Sequence, residues 1–137
     1  MLGIKPYIAF ADGRCEEAFN FYAGCLNGSI GGIFRYGDSP MAVEGINDKV
    51  MHATVTIGEA TIMGCDAIGN HVLTIGNNIS LALGSDDVAA AEAMFDKMAE
   101  GGKVTMPMQE TFWALRFGML TDKFGVNWMF NCEKQRG

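Results

Sequence analysis

Residues 7–28 read YIAFADGRCEEAFNFYAGCLNG and residues 80–102 read SLALGSDDVAAAEAMFDKMAEGG. Each begins with a short strand-like run that leads directly into a helix-like one. In the first, Ala18, Phe21, Tyr22, Cys25 and Leu26 recur at the i, i+3, i+4, i+7, i+8 spacing of one apolar helical stripe. Asp12 or Gly13 is placed to cap its start, Glu16 and Glu17 suit the positive end of its dipole, and Gly28 is placed to stop it. In the second, Ser85 is the expected cap, Asp86 and Asp87 occupy the first turn, and Gly101-Gly102 ends a stripe through Ala91, Met94, Phe95 and Met98. Sliding one half by 73 positions brings Ile8 onto Leu81, Phe10 onto Leu83, Phe21 onto Met94, Tyr22 onto Phe95 and Gly28 onto Gly101.

Three strand-like runs follow each helix. They are SIGGIFRYG (29–37), VMHATVTIG (50–58) and ATIMGCD (60–66), then KVTMPMQ (103–109), ALRFGMLTD (114–122) and VNWMFNC (126–132). Turns at Gly58-Glu59 and Lys123-Phe124-Gly125 separate the last two strands of each half. There a shift of 66 places Ile62 on Trp128 and Met63 on Met129, the change from 73 arising from a longer loop at residues 37–48. The pattern predicts one α+β domain over residues 1–137, made of two βαβββ modules at 1–66 and 77–137 joined by a connector at 67–76. A ferredoxin-like fold shares the rhythm but needs a different strand count.

Composition narrows the function. The 137 residues suffice for one domain with a real core, and no apolar run approaches the ~18–20 residues that span a bilayer. The start, MLGIKPYIAFADG, has no basic segment before an apolar core and cleavage site, so a cytoplasmic location is expected. Net charge is −6 and the ten Lys and Arg residues are scattered, which argues against nucleic acid as a partner. Cys15, Cys25, Cys65 and Cys132 form no C-x-x-C pair and read as reduced thiols. Cys15 lies near a helix N-terminus, where the dipole can lower a thiol pKa, but a buried or incidental cysteine is the simpler reading.

The segments PYIAFADGRCEEAFNFY (6–22), VMHATVTIGEATIMGCD (50–66), NNISLAL (77–83) and GGKVTMPMQETFWALRFGMLTDKFGVNWMFNCE (101–133) cover most of the chain. They resemble the PhnB-like branch of the vicinal oxygen chelate superfamily, which includes glyoxalase I, bleomycin-resistance proteins and extradiol (dihydroxybiphenyl) dioxygenases. The resemblance implies the glyoxalase/bleomycin-resistance fold: a curved, mostly antiparallel sheet around a cavity, with the helices outside. Members often carry a 3-demethylubiquinone 3-methyltransferase label. The glycine-rich strand-to-helix loop that a Rossmann methyltransferase needs is absent from the sequence. Strand alternation then assigns Ile8, Phe10, Leu81 and Leu83 to the helix side and Tyr7, Ala9, Ser80 and Ala82 to the cavity side.

Metal-dependent relatives hold a divalent ion with one His or Glu on the first and last strand of each module. The resemblance carries those positions to Tyr7, Met63, Ser80 and Met129. None is a usual ligand for a hard or borderline dication, a thioether suiting copper(I) instead. A one-residue slip offers Asn78, Gly64 or Trp128, which do not rescue the site. No metal and no other cofactor is therefore expected.

The remaining candidates each carry two readings. His52, on the face it shares with Thr54 and Thr56, is either a hydrogen-bond donor or general base in the cavity, or a structural histidine. Arg116, on the corresponding strand of the second module, either holds an anionic group or pairs with a carboxylate such as Glu110. Phe112 and Trp113 either close over a planar ligand, pack at a subunit interface or join the core. Trp128 falls on the helix side and is expected in the core. The ten methionines suit an adaptable cavity or an ordinary core. Glu44, Asp48 and Glu59 form no carboxylate pair spaced for acid–base chemistry. His71 is expected to be a solvated connector residue.

The expected ligand pocket thus contains Tyr7, His52, Thr54, Met63, Asn78, Ser80, Trp113, Arg116 and Met129. The leading expectation is a metal-free protein that binds or sequesters a small molecule, as a homodimer, with no membrane or nucleic-acid partner. Alternatives are a lyase, isomerase or dioxygenase using a metal or His52, and an interaction module with a vestigial pocket. The sequence does not establish catalysis.

Overall fold

The structure, a computed structural model, describes residues 2–40, 42, 44–69 and 72–134; His71 lies outside them. The chain divides into two compact units, Met1–Thr74 and Ile75–Gly137. The first contains β1 (Tyr7–Phe10), α1 (Cys15–Cys25), β2 (Ser29–Arg35), a short 3-10 turn (Tyr36–Asp38), β3 (Val50–Ile57) and β4 (Ala60–Asp66). The second contains β5 (Leu81–Gly84), α2 (Val88–Ala99), β6 (Lys103–Gln109), β7 (Ala114–Thr121) and β8 (Asn127–Glu133). Each unit is a four-stranded mixed sheet with one helix, in the orders β1-β4-β3-β2 and β5-β8-β7-β6. The outer short strand runs parallel to the last strand, and the other neighbours are antiparallel. This is the expected α+β, βαβββ pattern in both halves.

The helix boundaries show what local signals miss. Asp12 and Gly13 both take left-handed conformations, φ 58° and 70°, in the turn before α1, and neither caps it. The residue at the cap position, Arg14, makes no side-chain cap. The work falls to Asp66 at the end of β4. One carboxylate oxygen accepts the Cys15 N–H at 2.9 Å, and the other accepts the Val50 N–H, where β3 begins, at 2.8 Å. At the far end Asn27, φ 55°, takes the left-handed position expected near Gly28. In α2 the N-cap is Asp87, whose Oδ1 accepts the Ala90 N–H at 3.0 Å, while Ser85 Oγ accepts the Asp87 N–H at 3.1 Å. Ser85 therefore supports the cap instead of forming it.

The buried stripe of α1 is Cys15, Ala18, Phe19, Tyr22 and Cys25, with Phe21 only half-buried. Phe19 displaces Phe21 because Gly64 on β4 leaves room for it. A Cβ at Gly64 would stand 2.7 Å from Phe19 Cζ, and the Phe19 ring sits edge-on to Phe10 at 5.7 Å. In α2 the buried residues are Ala91, Phe95 and Met98. Ala18, Tyr22 and Cys25 thus correspond to these three at the offset of 73. Around them Val55 and Ile62 in the first unit, and Leu120, Trp128 and Phe130 in the second, complete the helix-facing cores. The buried Trp128 indole donates to Asp122 Oδ2 at 2.9 Å, which satisfies its N–H in the core. Among the described residues no helix is long and apolar enough to cross a membrane.

Candidate functional site

Each sheet has a second face, turned away from its helix, and most of the predicted site residues lie on these two faces. In the first unit Tyr7 pairs with Met63 and Thr54 pairs with Met63 from the other side. His52 and Cys65 follow at the same parity on β3 and β4, one ladder step beyond the Ala53–Gly64 pair. The Tyr7 side chain is half exposed and reaches across β4, placing its hydroxyl 3.3 Å from His52 Nδ1 with the two rings 5.6 Å apart. The same hydroxyl lies near enough to the Cys65 thiol for each to shift the other's pKa. Its pKa is pushed up to about 12, first by desolvation and then by Cys65, so the phenol keeps its proton at neutral pH. Burial likewise raises the Cys65 thiol, partly opposed by the Tyr7 hydroxyl. The face is a weakly polar cluster of a phenol, a thiol, a thioether and one imidazole. Thr54 crowds Gly31 on β2, where an added Cβ would collide with Thr54 Oγ1.

In the second unit the open face carries Phe117 and Met119 on β7 and Met129 and Asn131 on β8. Met129 pairs with Met119 on one side and Ala82 on the other. Ser80 lies one residue before β5 and is half-buried, and Asn78 is exposed in the preceding loop. The cross-strand partner that matches Tyr7 is therefore Ala82, at an offset of 75 and not 73. The link between first strand and helix is shorter in the second half, and a two-residue slip keeps the face unchanged. Trp113, 44% exposed, stands T-shaped to Phe117 at 5.3 Å and to Phe112 at 4.8 Å, with Phe112 88% exposed. Beside Asn131 a cavity of about 550 Å³ is lined by Gly84, Ser85, Asp86, Asn131 and Glu133.

Arg116 does not join this face. It pairs with the buried Cys132 of β8, and its Nε donates to Glu92 of α2 at 2.9 Å. Glu110, the partner weighed for it, instead meets Lys134 at 3.1 Å. The ladder makes Phe117 the counterpart of His52. Arg116 lies on the expected counterpart strand but one residue before that position, and one residue moves a side chain to the opposite face. A register irregularity between Ala114 and Arg116 obscures the alternation. Sequence reasoning also passed over Cys65 as an ordinary thiol, although alternation along ATIMGCD already puts it with Met63.

The positions to which the resemblance carries the ligands of a divalent ion hold a phenol at Tyr7 and thioethers at Met63 and Met129, and the ladder puts Ala82, which has no donor, in place of Ser80. Among the described residues no three His, Cys, Asp or Glu side chains gather to hold an ion. This donor set does not fit a hard or borderline dication.

Comparison with known proteins gives the lineage. Residues 3–130 match the family described as 3-demethylubiquinone-9 3-methyltransferase. The chain is 33% identical to Protein YjdN of Escherichia coli K12, with 97% of each chain covered. It is 41% identical to protein PA1353 of Pseudomonas aeruginosa, with TM-score 0.89 and coverage of 98% of this chain and 100% of that one. It is 30% identical to the PhnB protein of Bacillus cereus, with TM-score 0.80 and coverage of 95% and 98%. At 12% identity, the glyoxylase/bleomycin resistance protein/dioxygenase domain from Frankia (TM-score 0.66) and the fosfomycin resistance protein FosX of Mesorhizobium loti (0.63) share its fold. The chain belongs to the PhnB-like family, described as 3-demethylubiquinone-9 3-methyltransferase, and has the fold of the glyoxylase/bleomycin resistance protein/dioxygenase domain.

Proposed function

We propose that this protein binds and sequesters a small, largely apolar molecule on its open sheet faces without a resident divalent ion. The observation that carries the reading is the substitution of Tyr7, Met63 and Met129 at positions where relatives grip an ion. Thioethers, a neutral phenol and the Trp113–Phe117 aromatic pair favour contact with an apolar or planar ligand over charge stabilisation. His52 supplies directionality. The Tyr7 hydroxyl engages Nδ1, so Nε2 is the ring nitrogen that can meet a polar group of a ligand. Methyl transfer is not part of this proposal. The β1–α1 junction reads ADGRCEE and the β5–α2 junction GSDDVAA, and neither is a glycine-rich cofactor loop.

A second reading rests on the Tyr7–His52 pair, in which His52 acts as a general base in a lyase or isomerase. We further propose a homodimer in the cytoplasm, with the exposed Phe112 near the partner or the ligand. Thermal-shift screening of planar and amphipathic compounds in the presence of EDTA tests the leading reading. Ligands that bind only the folded protein raise the melting temperature, by ~2.7 kcal/mol of stabilisation at a concentration 100 times Kd. Stabilisation by ligands of the first unit's face should be lost in Tyr7→Ala, and by ligands of the second unit's face in Trp113→Ala. Stabilisation by nickel, zinc, manganese or iron(II), abolished by Met63→Leu, would defeat the reading.

A further inference from the structure

The side chains that reject a hard dication compose a different donor set. Met63 and Cys65 stand two residues apart on one face of β4, and His52 occupies the neighbouring position on β3. Directly opposed residues of an antiparallel pair have Cβ atoms ~4.5–5.5 Å apart, so imidazole and thiol are within reach of a common point. The Tyr7 hydroxyl lies beside that point, 3.3 Å from Nδ1 and on the same face as the thiol. All three donors are half-buried, so each is reachable from solvent. The other cysteines are not: Cys15 is 0% exposed, Cys25 7% and Cys132 1%. One accessible thiol, one imidazole and one thioether on a single sheet face are the ligands that soft metals select.

We propose that His52, Met63 and Cys65 form a binding site for a soft monovalent ion, copper(I) by chemistry, on the open face of the first unit. The ion replaces the thiol proton of Cys65, which leaves to solvent as one H⁺ per ion bound, and no electron is transferred. It displaces the Tyr7 hydroxyl from Nδ1. Tyr7 is thus a competitor for the donors and not a ligand. The site goes beyond the proposed organic ligand and stands or falls separately from it.

The test is an anaerobic titration of the reduced, full-length protein with silver(I), a redox-inert probe, followed by copper(I) in competition with a chromogenic chelator. One equivalent should bind, with one proton released. Cys65→Ser should weaken binding ~100-fold or more, since even outer-shell partners of a metal site are worth ~10–100-fold. Met63→Leu, a volume-conserving change, should weaken it about tenfold. Tyr7→Phe should bind as tightly as the native protein or more so. Failure of the native protein to take up either ion overturns the proposal. So does undiminished affinity in Cys65→Ser or, should that variant not fold, in Met63→Leu. A large loss in Tyr7→Phe would also overturn it, since the phenol would then be a ligand.

Discussion

Removing the Asp66 carboxylate tests how the first unit is held together. The residue is 3% exposed, and its two oxygens accept the Cys15 and Val50 N–H groups at 2.9 and 2.8 Å. These are the first residue of α1 and the first of β3, so one side chain fixes helix, strand and the position of His52 two residues further on. Each hydrogen bond to a charged group contributes ~1.5–3 kcal/mol, and both donors lose their partner in Asp66→Ala. Taking the lower half of the range, because a small cavity admits some water, the loss is about 3.5 kcal/mol. With ~2.1 cal/mol/K of unfolding entropy per residue over 137 residues, the melting temperature should fall by about 12 °C. Asp66→Asn keeps one carbonyl acceptor and should lose about half as much. Far-UV circular dichroism melts and urea titrations read both values, with the exposed turn residue Glu59→Ala as a control expected within ~0.5 kcal/mol of native. A loss below ~1 kcal/mol in Asp66→Ala, or equal losses for Ala and Asn, would refute the bridging role.

Three further outcomes are expected. Gly64→Ala should cost ~1–3 kcal/mol in urea titration, because the new Cβ would stand 2.7 Å from Phe19 Cζ and 2.8 Å from the Ile8 carbonyl oxygen. Burial, and then the charge of Asp66, pushes the Cys15 thiol from 9.0 up to about 12. Since the folded value lies above the unfolded one, the associated stability is intact below pH 9 and drains away between pH 9 and 12. Cys15→Ala should flatten the fall in stability measured by urea titration across pH 8–11, and native Cys15 should resist alkylation until the protein unfolds. Trp128→Phe should cost ~1.5–3 kcal/mol in chemical denaturation, as it strips the buried indole hydrogen bond from Asp122.

The element order was legible because each element announces itself within a few residues. The strand ATIMGCD runs over the residues expected, as does KVTMPMQ. What stayed hidden depends on distant partners. Asp66 caps a helix 51 positions before it, and no window of sequence around Cys15 contains that information. Phe19 outcompetes Phe21 for the core because of a glycine on another strand. The strand carrying Arg116 was legible but its face was not, because an irregular ladder cannot be counted from residue types and a single position reverses the face.

The two halves agree on their helix-facing sides and diverge on their open ones, which locates function by physics alone. Under the helices, Ala18, Tyr22 and Cys25 answer Ala91, Phe95 and Met98 in place and in burial. Packing sets those positions, and any apolar group of suitable volume serves. On the open faces Met63 answers Met129, but Tyr7, His52 and Cys65 stand against Ala82, Phe117 and Asn131. One face is a hydroxyl, an imidazole and a thiol; the other is aromatic and thioether with a carboxamide whose Oδ1 is buried without a partner. Fold stability requires neither composition, since both sheets already bury their other side. Under the proposed function the two faces differ in what they favour: the first unit's face a ligand with a polar group that can meet His52, the second unit's face an apolar or planar one. A screen that returned only wholly apolar ligands, all indifferent to His52→Ala, would break that inference.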